Sequence, residues 1–256
     1  MNSIASQRTR AVAEVQKKLL VGYVLAGYPS SDSFFSTLKI CEKSPLDIIE
    51  IGFPSQNPFA DGPVIATAHK ATDKQTACSL AYWEKIRKAT DKPIWLMAYS
   101  GDFIGSGVYR KFAKNRLIDG MVVPDASLAV RKEIRKEVGV DGIDVIGFVN
   151  PKMSGSKMDE VFSDFPLVYE QLYVGQTGTV QIKDVYHPML ERSLTRKDVL
   201  GFAGFGISTA ERVAKLYADG FHGAIIGTEI IKRLNVSPSA LETYLKDLGR
   251  AKEQWQ

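Results

Sequence analysis

Short apolar runs alternate with longer amphipathic stretches along the whole chain. The runs are rich in Val, Ile, Leu and aromatics, with Gly or Pro at many ends, which predicts strands. They span Leu19–Ala26, Asp47–Gly52, Ile94–Tyr99, Gly120–Val123, Val145–Val149, Leu167–Leu172, Leu200–Phe205 and Gly223–Ile226. Between them the spacing predicts helices over Ser31–Glu42, Ala77–Ala89, Val108–Asn115, Leu128–Val138, Met158–Ser163, Arg192–Lys197 and Thr209–Ala218. Glu229–Leu234 and Pro238–Lys252 close the chain, and Ile4–Lys18 reads as an extra amphipathic helix before the first strand. Ser31 or Asp32 is the expected cap of the first of these helices, and Ser208 that of the seventh. About eight βα units in 256 residues are the proportions of an α/β-class TIM (β/α)8 barrel with an extra N-terminal helix. A doubly wound sheet is the main alternative. No linker or low-complexity segment interrupts the pattern, so residues 1–256 read as a single domain. Tyr173–Glu191 forms a long Gly- and Thr-containing loop, a length that marks a lid or a disordered segment.

Composition narrows the function classes. Hydrophobic residues make up 45% and charged residues 24%, ordinary for a soluble globular protein. The net charge is +4, from 33 Lys and Arg against 29 Asp and Glu. These charges are spread out, and the basic cluster Arg131, Lys132, Arg135 and Lys136 alternates with Glu133 and Glu137 as on a solvated helix face. Nucleic acid is therefore not an expected partner. No stretch approaches the ~18 apolar residues that span a bilayer, and the first residues carry no secretory pattern. Cys41 and Cys78 form neither a CxxC nor a disulfide framework, which points to a reducing cytoplasm. His69, His187 and His222 are scattered and read as surface or packing residues, so no metal site is expected.

The chemistry concentrates in residues 48–63, Ile-Ile-Glu-Ile-Gly-Phe-Pro-Ser-Gln-Asn-Pro-Phe-Ala-Asp-Gly-Pro. A carboxyl inside an apolar strand is costly without a purpose. Strand alternation puts Ile48, Glu50 and Gly52 on one side and Ile49 and Ile51 on the other. In a barrel jacketed by helices, Glu50 then points inward near the strand's C-terminal end, where such folds place their sites. Asp61 follows in the loop. Two carboxyls converging on a pocket suit general acid/base work, because desolvation can raise one of them toward neutrality. The plainer alternatives are an ion-paired strand residue and a turn residue. Tyr99 ends the third strand on the face of Trp95 and Met97, and Asp125 follows the fourth; taken singly, Tyr99 reads better as a core aromatic with a wet hydroxyl and Asp125 as a helix N-terminal residue. Gly-Gln-Thr-Gly (175–178), Gly-Phe-Gly-Ile-Ser (204–208) and Gly-Thr (227–228) follow the last three strands. They place glycine where backbone N–H groups and helix N-termini can hold a phosphate. The implied substrate is a small molecule with a phosphate at one end and an acid/base-sensitive, apolar centre at the other.

These residues resemble the tryptophan synthase alpha chain family. The likeness is carried by Glu-Ile-Gly-Phe-Pro, Pro-Phe-Ala-Asp-Gly-Pro (58–63), Leu-Met-x-Tyr (96–99), Thr-Gly (177–178), Gly-Phe-Gly-Ile-Ser and Gly-Ala-Ile-x-Gly-Thr (223–228), in family order over nearly the whole chain. The resemblance implies retro-aldol cleavage of indole-3-glycerol phosphate to indole and glyceraldehyde 3-phosphate. It implies a beta-chain partner in an α2β2 heterotetramer, with pyridoxal phosphate in that partner and no cofactor in this chain. By the same resemblance Glu50 is the general acid/base, and Asp61 accepts the indole N–H. Thr177 on the lid hydrogen-bonds Asp61 when the site closes. Tyr99 and Tyr169 are pocket tyrosines, and Gly178, Gly206, Gly227 and Thr228 form the phosphate cradle.

The chain departs from the family pattern around the site. Pro-Ser-Gln-Asn-Pro (54–58) stands where Pro-Phe-Ser-Asp-Pro is usual, so Ser55, Gln56 and Asn57 alter a loop that contacts the beta chain in the family. Gly-Tyr-Pro (27–29), Ser-Gly-Asp (100–102) and the Gln of Gly-Gln-Thr-Gly are further departures. They raise an alternative, a weak or silent subunit that mainly activates its partner. Another phosphate-binding barrel, such as a sugar-phosphate isomerase, is the third reading.

Overall fold

Nine strand segments in a computed structural model form one parallel sheet, ordered β5-β4-β3-β2-β1-β9-β8-β7-β6. Residues 3–178 and 185–255 are described. The strands are β1 (Leu19–Leu25), β2 (Ile48–Gly52), β3 (Ile94–Met97), β4 (Gly120–Val122), β5 (Asp144–Val145), β6 (Gly147–Val149), β7 (Leu167–Gln171), β8 (Leu200–Gly204) and β9 (Gly223–Ile226). β5 and β6 are two halves of one barrel position: β5 pairs with β4 and β6 with β7. The sheet therefore closes on itself at Ile146, whose N–H donates to the Met121 carbonyl at 2.9 Å. The result is the eight-position TIM barrel that the βα rhythm predicts.

Strand parity builds two layers. Leu19, Val21, Ile48, Trp95, Val122, Leu167, Phe202 and Ile225 fill the barrel interior. Their neighbours Ile49, Ile51 and Leu96 face outward and pack with Phe34, Leu38 and Trp83 of the surrounding helices. Strands buried on both faces explain why the sequence shows apolar runs rather than strict alternation. The N-terminal end of the barrel is closed by α1 (Gln7–Val15). The Asp144 carboxyl accepts from the Ala5 and Ser6 N–H groups at 2.8 and 3.0 Å, and Trp95 Nε1 donates to Thr9 Oγ1 at 3.3 Å. This leaves the C-terminal end open.

Several helices differ from expectation. α2 (Ser31–Lys43) is capped by Ser30, one residue before the expected Ser31 or Asp32. α3 (Pro63–Ala71) was not anticipated; it starts on Pro63, whose fixed φ and missing N–H suit a first helical position. The expected Ala77–Ala89 helix is two, α4 (Lys74–Ala77) and α5 (Leu80–Lys88), because the Ser79 hydroxyl accepts from the Tyr82 N–H at 3.3 Å and starts a new helix. A short α6 (Ser100–Phe103) follows β3. Then come α7 (Val108–Lys114), α8 (Leu128–Val138) and α9 (Gly155–Asp164). α10 spans His187–Leu194 instead of Arg192–Lys197, because Pro188 in its first turn favours the earlier start. It occupies the end of the segment expected to be a loop, and residues 179–184 of that loop lie outside the described residues. α11 (Ala210–Asp219) is capped by Thr209 rather than Ser208, and α12 (Thr228–Val236) and α13 (Pro238–Glu253) complete the jacket.

Trp95 is fully buried at the centre of the inner layer, its ring edge-on to Phe202 at 4.9 Å. Trp95→Ala is expected to lower unfolding free energy by about 3–5 kcal/mol, read as a reduced urea midpoint at unchanged slope.

Candidate active site

The open end of the barrel holds a cavity of about 550 Å³, and Glu50, Asp61 and Tyr169 all line it. β2 positions Glu50. Its register sets Glu50 beside Tyr23 of β1 and Trp95 of β3, and its parity with Ile48 turns the carboxyl inward. Glu50 is 3% exposed. Burial, and then the nearby Asp61 carboxyl, push the Glu50 carboxyl up to about 8. At neutral pH it is a stored proton. Tyr23, on the adjacent strand, also lines the cavity; its hydroxyl is buried with no protein partner and is pushed far upward by burial and then by Asp61 and Glu50.

Asp61 sits on the loop between β2 and α3 and is held by side chains from outside that loop. The Tyr99 hydroxyl donates to Asp61 Oδ2 at 2.8 Å and accepts from the Ala60 N–H at 3.2 Å. Accepting from Ala60 commits the Tyr99 proton to Asp61, and burial together with Asp61 raises that phenol well above its ordinary value. Tyr99 thus stands behind Asp61 rather than on the cavity wall. His69 of α3 is fully buried; its Nδ1 accepts from the Ser55 N–H at 3.0 Å, and its Nε2 lies 3.6 Å from Asp61 Oδ2. His69 is therefore more than the packing residue expected of it. His187 is exposed at the start of α10, and half-buried His222 accepts from the Gly201 N–H at 3.2 Å. Among the described residues no group of three or more His, Cys, Asp or Glu could hold a metal ion.

The lid and the phosphate-type loops complete the rim. Thr177 Oγ1 accepts from the Gly62 N–H at 2.8 Å, and Thr177 N–H donates to the Ala60 carbonyl at 3.4 Å. Thr177 thus seats on the residues flanking Asp61, and its own hydroxyl proton remains to give. A Cβ on Gly62 would overlap the Thr177 carbonyl oxygen, so glycine is what lets the lid lie this close. Gly178, Gly206, Gly227 and Thr228 all line the same side of the cavity. Phe205 and Gly206 are both left-handed, with φ of +74° and +70°. The strained non-glycine Phe205 places its ring edge-on to Tyr169 and Tyr173 at 6.0 and 5.9 Å. Gly227 caps α12 without a side chain, leaving its N-terminal N–H groups bare toward the cavity. Arg212 of α11 and Lys232 of α12 line this end too. Tyr169 also stacks on Phe148 at 5.3 Å, giving the cavity an apolar wall. Asp125 lies elsewhere: its carboxyl accepts from the Ser100 N–H at 2.9 Å and from the Ser100 hydroxyl at 2.6 Å, capping α6.

Sequence reasoning missed Tyr23, His69, Arg212 and Lys232. Tyr23 could have been found from its parity with the inward Leu19 and Val21. The helix-borne three carry no local signal, because their approach to the site depends on how α3, α11 and α12 dock.

The chain that folds around this cavity has relatives among known proteins. A family model described as tryptophan synthase alpha chain matches residues 10–255. The tryptophan synthase alpha chain of Caldicellulosiruptor bescii is 31% identical over 263 aligned positions, covering 98% of each chain. That of Arabidopsis thaliana is 30% identical, covering 91% of this chain and 86% of its own. In fold, Mycobacterium tuberculosis tryptophan synthase superposes with a TM-score of 0.85 at 21% identity over 96% of this chain and 98% of its own. The Pyrococcus furiosus alpha subunit superposes at 0.78 with 24% identity over 91% and 98%. A match that runs from α1 to the end of α13 leaves no part of the barrel unaccounted for, and the chain belongs to the tryptophan synthase alpha chain family.

Proposed function

We propose that Glu50 and Asp61 carry the lyase reaction of this family, the retro-aldol cleavage of indole-3-glycerol phosphate to indole and glyceraldehyde 3-phosphate. The observation that carries this reading is the Glu50 carboxyl, buried on the inner face of β2 in the same cavity as Asp61 and pushed up to about 8 by that burial. Protonated Glu50 delivers its proton to indole C3. The ring becomes an indoleninium cation, and the Asp61 carboxylate stabilises it through the ring N–H. Glu50, now a carboxylate, takes the proton of the hydroxyl on the adjoining glycerol carbon. The bond from that carbon to indole C3 breaks, its electron pair restores the aromatic ring, and the former hydroxyl carbon becomes the aldehyde. Glu50 ends protonated, so the cycle closes with no net proton. Tyr169 and Phe148 form the apolar wall suited to the indole. Gly178, Gly206, Gly227 and Thr228 supply the phosphate cradle, with the bare α12 N-terminus and the cations Arg212 and Lys232 beside it. Thr177 seats the lid that excludes water from the charged intermediate.

The partner is a tryptophan synthase beta chain, which receives the indole in an α2β2 assembly and holds the pyridoxal phosphate. Support for the docking face comes from the loop that carries Asp61. Gln56 and Asn57 are exposed, and Phe59 is 52% exposed with its ring 4.8 Å from that of Tyr99. Ser55 is buried instead, its hydroxyl accepting from the Asn57 N–H at 3.1 Å. Two acids retained in one cavity favour the lyase over a subunit that only stimulates its partner. No helix among the described residues is long and apolar enough to cross a membrane. The free thiols of Cys41 and Cys78 fit the reducing cytoplasm.

Glu50→Gln is expected to lower kcat for indole release by roughly 10²–10⁴-fold, while indole and glyceraldehyde 3-phosphate still bind; retained turnover refutes the assignment. Because Glu50 must start protonated, kcat/KM is expected to fall as pH rises through about 8. The same raised ionisation costs stability progressively as pH rises from the ordinary 4.5 of a glutamate to about 8, and no further above that. Glu50→Gln should therefore gain in melting temperature over the native chain between pH 4 and pH 8 and keep that gain at pH 9, by calorimetry.

Gly62→Ala should displace Thr177 and impair lid seating. The expected result is a raised KM and a lowered kcat together, with an unchanged circular dichroism spectrum.

A further inference from the structure

Asp61 Oδ2 has two donors aimed at it from different elements. Tyr99 makes its hydrogen bond at 2.8 Å; His69 Nε2 stops at 3.6 Å, and that nitrogen is buried with no hydrogen-bond partner. The opposite ring nitrogen fixes the tautomer. Nδ1 accepts the Ser55 N–H at 3.0 Å, so it carries no proton, and the ring proton sits on Nε2 facing Asp61. A helical side chain leans toward its own N-terminus, which lets His69, two turns into α3, reach back to the loop that precedes the helix. The backbone there is also tethered, since Lys74 Nζ donates to the His69 carbonyl at 2.8 Å.

We propose that His69 is a positioning residue for the alpha reaction: its Nε2–H closes onto Asp61 Oδ2 as substrate binds. Tyr99 and His69 then hold one carboxylate oxygen between them and turn the other, Oδ1, toward the indole N–H. This rests on the reading that Asp61 meets that N–H. An unpaired buried N–H costs free energy that its closure recovers, and catalytic hydrogen bonds commonly lie long before substrate tightens them. The closure also joins two loop ends. Ser55, His69 and Asp61 become one connected unit, so residues 55–61 move as a body rather than as a flexible segment.

Two substitutions separate the ring's two roles. In His69→Asn the amide sits at the Nδ1 position; it can still accept from Ser55 but cannot reach Asp61. In His69→Gln the longer amide reaches the Nε2 position and can donate to Asp61 while the Ser55 bond is lost. Indole release from indole-3-glycerol phosphate is measured for both, with the beta chain present. His69→Asn is expected to lower kcat by about 10- to 100-fold, the worth of one hydrogen bond to a charged group, with KM little changed. His69→Gln is expected to restore most of kcat. Equal loss in both variants, or a greater loss in His69→Gln, overturns the proposal by making the Ser55 contact the operative one. Asp61→Asn is run alongside, alone and combined with His69→Asn. A fully active Asp61→Asn defeats the Asp61 reading itself. An inactive Asp61→Asn with a fully active His69→Asn defeats only the His69 proposal. When His69 acts through Asp61, the double variant loses no more than Asp61→Asn alone. Nitrogen-15 NMR of the native enzyme provides a check that no substitution can confound. The His69 ring should show a protonated Nε2 and an unprotonated Nδ1, with the Nε2–H proton moving downfield when indole and glyceraldehyde 3-phosphate are added. The opposite tautomer, or an unmoved proton, overturns the proposal.

Discussion

A carboxyl kept inside an apolar barrel without a cation is the constraint on which the site depends. Among the described residues Glu50 has no ion-pair partner; around it lie Tyr23, Trp95, the second acid Asp61 and apolar wall. Such a group avoids the cost of burial by keeping its proton. An upward shift alone does not identify chemistry. The Glu170 carboxyl on β7 is also pushed up to about 8 by burial, yet its position follows outward-facing Val168 and it takes a 2.6 Å hydrogen bond from the Ser193 hydroxyl. Glu170 is a strut between sheet and helix. What separates the two is strand parity: one faces a cavity and the other a helix.

That distinction explains how far the sequence could be read. Barrel strands buried on both faces leave an unmistakable rhythm of apolar runs, and all eight barrel positions were legible to within a residue or two. Parity then placed Ile48 and Glu50 inside and Ile49 and Ile51 outside, as found. The helices were read less well where a cap decides. Ser79 splits one expected helix in two, and Pro63 starts one where the eye sees only the tail of a loop. These depend on single side-chain hydrogen bonds or one fixed φ angle, which periodicity over a window cannot register.

The candidate site divides along the same line. Residues at strand ends or in the loops just after them, Glu50, Asp61 and the late glycines, were legible because the barrel fixes where every strand ends, whereas mid-strand Tyr169 was singled out only by the family resemblance. Tyr99 was legible as a neighbour but not as a donor behind Asp61. Residues delivered by helices were invisible. His69 and Arg212 sit at no special spacing; only the docking of α3 brings His69 behind Asp61, and only that of α11 brings Arg212 to the cavity. Tyr23 lies between these cases, inward by parity yet hard to single out in a strand that is buried throughout.

The two acids differ in how they are carried. Glu50 is fixed by parallel ladders on both sides, so its carboxyl can turn only about its own side-chain bonds. Asp61 rides a loop with groups from three separate places about it: Tyr99 after β3 donates to it, His69 on α3 stands 3.6 Å away, and Thr177 seats on its neighbour Gly62. Chemistry that needs a proton delivered and a cation stabilised gains from this split. In the proposed reaction Glu50 is then registered to the barrel, while Asp61 sits on a loop held by Tyr99. The exposed Phe59 lies against Tyr99, and Tyr99 donates to Asp61, so two contacts join that loop's surface to the Asp61 carboxyl, and Asp61 in turn acts on Glu50 through its charge.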